Sequence, residues 1–318
     1  MKTLTIPELA VALLAGDNYI MLTHRRPDGD TIGSAAALTR GLRGLGKEAY
    51  ILENPQFTEK FRPYLEGLTI DRIPQGATIV TVDIAAEGLF PFSALDYVNQ
   101  VAFRIDHHGS RADFGEKGYV DPEAAACGEI ILELLQEMKA PMDPKTAEAV
   151  YVAISTDTGC FRYSNTTANT LRAAALCKEL GADTFAVNQT MFLTKRLARL
   201  KLDAHLARTT EFYARGKVAV STISNEVRKE LGITEDDIDD ISGFGREIEG
   251  VEIAVMLRQE GENGKISVRT SPGHDAAAIC ALMGGGGHKA AAGATVEGGI
   301  EAAKQAVLEA LRNYEVEL

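Results

Sequence analysis

Residues 23–34 read THRRPDGDTIGS and lie between the apolar run Tyr19–Leu22 and an alanine-rich segment. The apolar run predicts a buried strand, and the alanine-rich segment predicts the start of a helix. In an open α/β sheet, ligands bind in such strand-to-helix turns at the carboxyl ends of the strands. A D-G-D sequence alone is also typical of a calcium-like or merely solvated turn, but the addition of His24 to Asp28 and Asp30 favours a site for a borderline divalent metal.

Three further polar positions follow predicted strands or helices in the same way. Asp83 ends the strand VTVD, Asp106–His108 follow the apolar run Val101–Ile105, and Asp157 lies in STDTG, directly after a predicted helix. Any one of these residues alone is more often structural, but their joint occurrence predicts a metal centre. The predicted ligands are His24, Asp28, Asp30, Asp83, His107 and Asp157. Four carboxylates and two imidazoles can hold two divalent ions if one or two of the aspartates bridge.

These motifs, in this order, resemble those of the DHH phosphoesterase family. The run Gly284–His288 (GGGGH) resembles the DHH-associated domain, so the resemblance covers nearly the whole chain. Length and layout are most similar to the stand-alone nanoRNase and adenosine 3′,5′-bisphosphate phosphatase subfamily. The resemblance implies that His24 and Asp28 hold one ion, that Asp30 and His107 hold the other, and that Asp83 and Asp157 are shared between them.

The same resemblance implies catalytic roles for His108 and Asp106. His108 is expected to contact the scissile phosphate, and Asp106 is expected to orient a histidine by a hydrogen bond, with a simple turn carboxylate as the alternative. Mixed nitrogen and oxygen ligation favours Mn²⁺, with Co²⁺, Fe²⁺ and Mg²⁺ left open. Many family members carry Asn before the proline of the first motif, where this chain has Arg26, preceded by Arg25. These two arginines either grip a second phosphate or are solvated surface charges.

The second part of the chain resembles the family's site for the far end of the nucleotide. The implied substrate-binding residues are Arg269, Gly285, Gly286, Gly287 and His288. A glycine run lets the backbone approach a ligand and present N–H groups to an anion, although such runs are often only flexible loops.

Alternation of strands with helices predicts an α/β fold with a parallel, doubly wound sheet, joined by a helical connector to a smaller mixed-sheet α/β domain. The predicted boundaries are 1–185 for the metal domain, 186–212 for the connector and 213–318 for the substrate-binding domain. In the first domain we predict strands at 19–22, 48–52, 78–83 and 101–106, helices at 8–15, 31–45, 124–139, 144–155 and up to Leu180, and a loose stretch at 53–76. Beyond it we predict a helical stretch without strands at 184–208, a strand at 217–223, helices at 225–231, 234–241, 275–283 and 299–313, and a hairpin of 251–258 with 265–269, turning at Gly261 and Gly264.

The composition and net charge of the chain indicate which binding partners are unfavourable. The chain has 318 residues and a formal charge of −12, which disfavours binding to long duplex nucleic acid or to anionic membranes. Its four scattered cysteines predict free thiols, and its N-terminus lacks a signal-peptide pattern, so we expect a cytoplasmic protein. A homodimer is left open.

We therefore expect a two-metal phosphoesterase that acts on short single-stranded RNA or DNA (nanoRNA and linear dinucleotides), on adenosine 3′,5′-bisphosphate, or on both. Alternatives are a cyclic-dinucleotide phosphodiesterase and an exonuclease of the RecJ type. A manganese pyrophosphatase is disfavoured by the glycine–histidine run, and a non-catalytic nucleotide-binding regulator is disfavoured by the complete set of ligands.

Overall fold

The chain divides into two compact units, Met1–Thr194 and Lys195–Leu318. The structure is a computed structural model that describes residues 1–109, 114–238 and 241–314. The boundary between the units falls inside the predicted connector, 186–212. Among the described residues, every helix is too short or too polar to span a bilayer.

The first unit alternates strands with helices. Its strands are β1 (Lys2–Thr3), β2 (Tyr19–Leu22), β3 (Ala49–Leu52), β4 (Thr69–Ile70), β5 (Thr78–Val82), β6 (Val101–Asp106) and β7 (Lys117–Val120). Its helices are α1 (Ile6–Ala15), α2 (Gly29–Gly44), α3 (Arg62–Leu65), α4 (Cys127–Glu137), α5 (Pro144–Asp157), α6 (Ala168–Glu179) and α7 (Thr184–Asn188). Short 3₁₀ segments, Glu87–Leu89 and Phe92–Gln100, lie between β5 and β6.

Within the described residues, the seven strands form one sheet in the order β1-β7-β6-β5-β2-β3-β4. Every strand pair in it is parallel, which confirms the predicted parallel sheet. The chain runs from β2 outwards to β3 and β4, and then crosses to β5 on the other side of β2. The carboxyl ends of β2 and β5 therefore form the switch point of the topology, where open α/β sheets bind ligands.

Both faces of this sheet are buried. Along β2, Tyr19 and Met21 belong to one apolar cluster with the helices, whereas Ile20 and Leu22 belong to a second cluster on the opposite face. Successive strand residues point to opposite faces, so a strand that is covered on both sides is continuously apolar. This burial explains why β2 reads as an unbroken apolar run.

Helices α2 and α5 pack closely enough to bring their ends together. A Cβ atom on Gly33 would lie 2.3 Å from the carbonyl oxygen of Ala149, and one on Gly29 would lie 2.3 Å from the hydroxyl of Thr156. Only glycine permits this approach. The amino end of α2 consequently meets the carboxyl end of α5, next to Asp157.

The sequence prediction missed several short elements of this unit. Strands β1 and β7 were not predicted, and the stretch 53–76, predicted to be loose, contains α3 and β4. These elements are short, and none of them is an unbroken apolar run like the four-residue β2, so the local pattern does not mark them. Helix α2 begins at Gly29 rather than at residue 31, because the Asp28 side chain caps it by accepting from the N–H groups of Asp30 and Thr31.

The second unit is built on a mixed sheet. Its strands are β8 (Glu211–Tyr213), β9 (Val218–Ile223), β10 (Ile253–Glu260), β11 (Asn263–Thr270), β12 (Gly286–Gly287) and β13 (Ala291–Glu297). Its helices are α8 (Leu197–Thr209), α9 (Asn225–Leu231), α10 (Ala276–Ala281) and α11 (Gly299–Asn313). The strand order is β12-β13-β11-β10-β9-β8, in which β9 and β10 are parallel and the other pairs are antiparallel.

Helices cover both faces of this sheet as well. Along β10, Val255 and Leu257 pack in the cluster that includes α10 and α11, whereas Met256 packs with α8 on the other face. The predicted mixed-sheet α/β domain is therefore observed.

Three predictions for this part of the chain were wrong in detail. Gly264 is not in the turn but lies within β11 opposite Gln259, because the hairpin needs only the two residues between Glu260 and Asn263. The predicted helix 234–241 is 3₁₀ at Asp236–Ile238 and from Ile241 onwards, with residues 239 and 240 outside the described part. The helical stretch 184–208 is interrupted by a π-helical turn, Gln189–Leu193.

Candidate metal centre

Neighbouring parallel strands bring the predicted ligands together. His24 follows β2, Asp83 follows β5, and His107 follows β6. The Thr31 hydroxyl in the first turn of α2 donates to the carbonyl of Val82, at 2.9 Å, and so joins the helix to the end of β5. All these side chains consequently lie at the carboxyl edge of the sheet.

His24 turns one ring nitrogen towards the acidic cluster. Its Nδ1 lies 3.0 Å from the Arg25 carbonyl oxygen, to which it donates. Its Nε2 lies 3.5 Å from Asp28 Oδ1 and 3.6 Å from Asp83 Oδ2. A backbone carbonyl on one nitrogen and an open lone pair on the other is the usual arrangement of a metal-ligating histidine.

His107 repeats this arrangement on the other side of Asp83. Its Nδ1 lies 3.2 Å from the Ala124 carbonyl oxygen. Its Nε2 lies 3.6 Å from Asp30 Oδ2, 3.5 Å from Asp83 Oδ1 and 3.7 Å from Asp157 Oδ2. These separations are too long for hydrogen bonds, but nitrogen and oxygen ligands of one metal ion stand at such distances.

Asp83 lies between the two histidines and is only 3% exposed. Its Oδ2 faces His24 and its Oδ1 faces His107. Among the described residues, Oδ1 is buried without a hydrogen-bond partner, which is costly unless a cation satisfies it. Its backbone has φ 59°, a strained conformation for a residue other than glycine that is typical of functional sites.

The aspartates of the site carry clustered negative charge, which a bound cation would stabilise. Burial, reinforced by the charges of neighbouring aspartates, raises the pKa of Asp83 and of Asp30 well above the usual range. Burial likewise raises the pKa of Asp157 to about 6. Burial also acts to raise the pKa of Asp28, but His24 and the N–H groups at the start of α2 outweigh it and hold that pKa at about 2.

Asp30 is anchored from three directions. Its carboxylate accepts from the N–H groups of Cys127 (2.7 Å) and Gly128 (3.0 Å), in the first turn of α4, and from the hydroxyl of Ser34 (3.0 Å). Donors at a helix amino end stabilise a carboxylate and fix its orientation. The position of Asp30 therefore depends on α4, nearly a hundred residues further along the chain.

The ligating atoms fall into compact groups, each within 4.8 Å. One group is His24 with Asp28 and Asp83, and another is Asp30 with His107 and Asp157. Asp83 also forms a third group with His107 and His108, so it is the carboxylate that lies near both His24 and His107. Asp157 belongs to the second group, and its sharing between two ions, which the family resemblance implies, stays a prediction. The donor set and the orphaned oxygen of Asp83 fit a pair of divalent ions.

His108 is held by Asp106 rather than by the aspartates around it. Asp106 Oδ1 accepts from the Nδ1 (2.8 Å) and the backbone N–H (3.1 Å) of His108. The other oxygen of Asp106 accepts from Arg104 Nη2 at 2.5 Å. Arg104 is 1% exposed and lies 4.6 Å from the centre of the Phe114 ring.

Arg104 was not among the site residues predicted from the sequence. The signal was present, because a charged residue in an otherwise apolar strand needs a buried partner, and residues i and i+2 of a strand share a face. Arg104 is such a residue, two positions before Asp106.

The two arginines of the first motif differ in environment. Arg25 donates to the carbonyl of Gly88 at 2.7 Å and lies over the Phe92 ring, so it holds the segment after β5. Arg26 is exposed and has φ 58°. Of the two predicted alternatives, the structure gives Arg25 a packing contact that neither alternative included.

In the second unit, the structure brings Arg269 and the glycine run to the same end of the sheet. Arg269 lies opposite Ala291 in the pairing of β11 with β13, and the N–H of His288 closes a tight turn by donating to the carbonyl of Ala291 at 2.8 Å. Arg269 is half-buried and His288 is exposed.

The glycines of the run serve different purposes. A Cβ atom would lie 2.3 Å from the Gly293 carbonyl oxygen if placed on Gly285, and 2.6 Å from the Ala292 Cα if placed on Gly287. These two glycines are therefore required by the approach of the chain to β13. Gly286 is exposed, and a Cβ atom on it would face open space.

Comparison with known proteins identifies both units. The model of the N-terminal domain of the DHH family matches residues 18–154, and the model of the DHHA1 domain matches residues 215–317. The bifunctional oligoribonuclease and PAP phosphatase NrnA of Thermus thermophilus is 35% identical over 306 residues, which cover 93% of this chain and 90% of that protein.

Proteins of lower sequence identity support the same assignment. The protein of the same name from Bacillus subtilis is 27% identical over 301 residues, which cover 93% of each chain. The crystal structure of an exopolyphosphatase-related protein from Bacteroides fragilis has the same fold, with a TM-score of 0.89, 22% identity and coverage of 98% of this chain and 96% of that one. With both domain models matched in order and a relative of 35% identity along nearly its whole length, this chain belongs to the DHH phosphoesterase family, among the proteins that combine the DHH and DHHA1 domains.

Proposed function

We propose that this protein is a two-metal phosphoesterase that hydrolyses short oligonucleotides and adenosine 3′,5′-bisphosphate. The observation that carries the proposal is the placement of Asp83, whose two carboxylate oxygens face two histidines 3.5 and 3.6 Å away. One buried carboxylate between two nitrogen ligands is the arrangement expected of a bridging ligand. The names of the Thermus and Bacillus relatives supply the substrate class.

His24, Asp28 and Asp83 would hold one ion, and Asp30, His107 and Asp157 would hold the other together with Asp83. When bound, two divalent ions activate water at neutral pH and stabilise negative charge on phosphoryl oxygens. The mixture of imidazole and carboxylate ligands favours Mn²⁺ over Mg²⁺, which prefers oxygen ligands alone.

His108 would act on the substrate. Its Nδ1 donates to Asp106, whose negative charge is in turn held by the buried Arg104. This arrangement sets the tautomer and the orientation of the ring, and it leaves Nε2 as the atom that would contact a phosphoryl oxygen. Stabilisation of the charge that develops on that oxygen is the expected contribution.

Arg269, His288 and the accessible backbone of Gly286 would bind a terminal phosphate or sugar of the substrate. A guanidinium pairs with phosphate through two N–H donors, and successive N–H groups of a glycine segment suit an anion. Such contacts would select nucleotides over small phosphate esters.

The proposal is tested with purified protein and a panel of substrates: a 5-mer and a 2-mer RNA, a cyclic dinucleotide, adenosine 3′,5′-bisphosphate and pyrophosphate. Each is incubated with Mn²⁺, with Mg²⁺ and with a chelator. We expect Mn²⁺-dependent release of mononucleotides from the 2-mer and the 5-mer, and of phosphate from the bisphosphate. Turnover of pyrophosphate alone, or turnover that survives chelation, would contradict the proposal.

A further inference from the structure

The loop that follows Asp157 has an unusual backbone. Three consecutive residues, Gly159, Cys160 and Phe161, have φ angles of 55°, 58° and 63°. Left-handed backbone is uncommon for residues other than glycine and is a genuine outlier for a bulky residue such as phenylalanine. Such strain persists only where the surroundings hold it, and it concentrates at functional sites.

The surroundings do hold this loop. Asn165 donates through Nδ2 to the carbonyl of Asp157 at 3.2 Å and to the carbonyl of Ala125 at 3.0 Å. Phe161 packs against Tyr151, with 5.9 Å between the ring centres. The loop is thus tied to a proposed metal ligand and to Ala125, next to the carbonyl that orients His107.

The product of this geometry is an exposed aromatic ring on the loop that follows Asp157. Tyr163 is 57% exposed, and its backbone N–H donates to the carbonyl of Thr158 at 3.0 Å. A Cβ atom on Gly159 would lie 2.4 Å from Tyr163 Cζ. The ring therefore rests on the backbone of Gly159, two residues beyond Asp157.

We propose that Tyr163 is a stacking platform for a base of the nucleotide substrate. This inference rests on the proposed function and adds a base-binding element on the metal-binding unit. A chain with a net charge of −12 gains little from long-range attraction of an anion, so contacts that ignore charge are valuable. Every base has a π-face, and a ring immobilised on a backbone loses little entropy when a base stacks on it.

The alternative is that Tyr163 only covers Gly159. The two roles differ in the chemistry that they require. Covering a glycine needs an apolar side chain of similar size, which leucine supplies, whereas stacking needs an aromatic ring. The informative variants are therefore Tyr163→Leu and Tyr163→Phe. Leu171→Ala, at a residue of the same unit that is 53% exposed, is the matched control.

The first experiment compares a 2-mer RNA with two counterparts that each lack one base. For Tyr163→Leu we expect KM for the intact 2-mer to rise about 10-fold, the scale of one base–aromatic stack. KM for one of the two abasic counterparts should stay unchanged. Tyr163→Phe and Leu171→Ala should behave as the wild type. An equal loss on all three substrates, or a leucine variant with normal KM, would overturn the inference.

The second experiment does not depend on turnover. A dinucleotide that contains 2-aminopurine and a non-hydrolysable phosphonate linkage is titrated with the protein in the presence of Mn²⁺, because the fluorescence of this base is quenched when it stacks on an aromatic ring. Quenching by the wild type and by Tyr163→Phe, but not by Tyr163→Leu, supports the platform. Binding without quenching by the wild type refutes the platform even if the protein hydrolyses RNA. If the wild type quenches but no substrate is hydrolysed, the proposed function fails and the base-binding site stands.

Discussion

Replacement of Asp83 by asparagine should change the stability of the protein in opposite directions with and without metal. The substitution keeps the size of the side chain and removes the negative charge. In the metal-free protein, Asp83 Oδ1 is buried without a hydrogen-bond partner among the described residues, and the charges of four other aspartates act against ionisation of this carboxyl. An uncompensated buried polar group costs about 1–3 kcal/mol in proteins.

The expected gain follows from that cost. Without metal, Asp83→Asn should raise the free energy of unfolding by about 1–3 kcal/mol, because an amide carries no charge and can donate to a neighbouring carboxylate. For a unit of 150–250 residues, each kcal/mol corresponds to a rise in Tm of roughly 2–4 °C. The metal-free variant should therefore melt at a higher temperature than the metal-free wild type.

Addition of metal should reverse the order. A ligand at 100 times its Kd stabilises the folded state by about 2.7 kcal/mol per site. The wild type should gain this stabilisation from Mn²⁺, whereas Asp83→Asn loses the carboxylate that faces both groups of ligands and should gain little. Mn²⁺-dependent hydrolysis of the 2-mer should also fall by orders of magnitude.

The assay is thermal unfolding of both proteins in chelator and in Mn²⁺ at pH 7.5, with metal content measured on the same samples. Asp71→Asn, at an exposed residue of the same unit, controls for the loss of one negative charge. The reasoning would be refuted by a metal-free variant that is less stable than the wild type. It would equally be refuted by undiminished stabilisation of the variant by Mn²⁺.

Three further predictions concern His108, Arg269 and pH. His108→Ala should retain its metal but lose roughly 10²–10³-fold in kcat, the scale for one donor to a transition-state oxygen. If the metal content measured on the purified variant is lower than that of the wild type, His108 is instead a ligand. Arg269→Ala should lose about 2–4 kcal/mol in kcat/KM for the 2-mer, the scale of a charge-assisted contact. Hydrolysis of bis-p-nitrophenyl phosphate should be unchanged, and Lys265→Ala on the same strand is the control. Equal loss on both substrates would point to damaged folding. A carboxyl whose pKa is raised by folding holds extra protons in the folded state, so its contribution is most favourable below the ordinary pKa and is lost as the pH rises. Burial raises the pKa of Asp83 well above the ordinary value near 4. The unfavourable contribution of this carboxyl, which Asp83→Asn removes, therefore grows as the pH rises above about 4, and the difference in stability between the metal-free variant and the metal-free wild type should grow with it. Urea unfolding at pH 4.5, 6 and 7.5 measures this, and a difference independent of pH would contradict it.

Local pattern was sufficient for the elements that frame the site. The apolar run of β2 is continuous because both faces of the sheet are buried, and the turn after it is polar because it lies at the ligand-binding edge. Helix α9 was predicted at 225–231 and is found there, because Ser224 caps its start and Gly232, with φ 66°, ends it. Such caps act within a few residues and can therefore be read from the sequence.

Elements without a local signal could not be predicted from the sequence. Strand β1 is exposed and β7 is mostly half-buried or exposed, so neither carries the apolar run that marks β2. They form because a neighbouring strand offers them backbone partners: β7 pairs with β6 on one side and with β1 on the other. A partner that lies in another part of the chain leaves no trace in the local pattern.

For the site, the sequence by itself determined the kind of chemistry: which side chains follow the strands, and that imidazoles and carboxylates together suit a divalent metal. Only the tertiary structure decided how they are divided. Asp83 faces both histidines because β5 lies between β2 and β6 in the sheet, and Asp157 is placed by the contact of α5 with α2. The charge on Arg104 and the exposed ring of Tyr163 acquire meaning from neighbours that folding supplies, because burial, distance and backbone strain are properties of the folded chain.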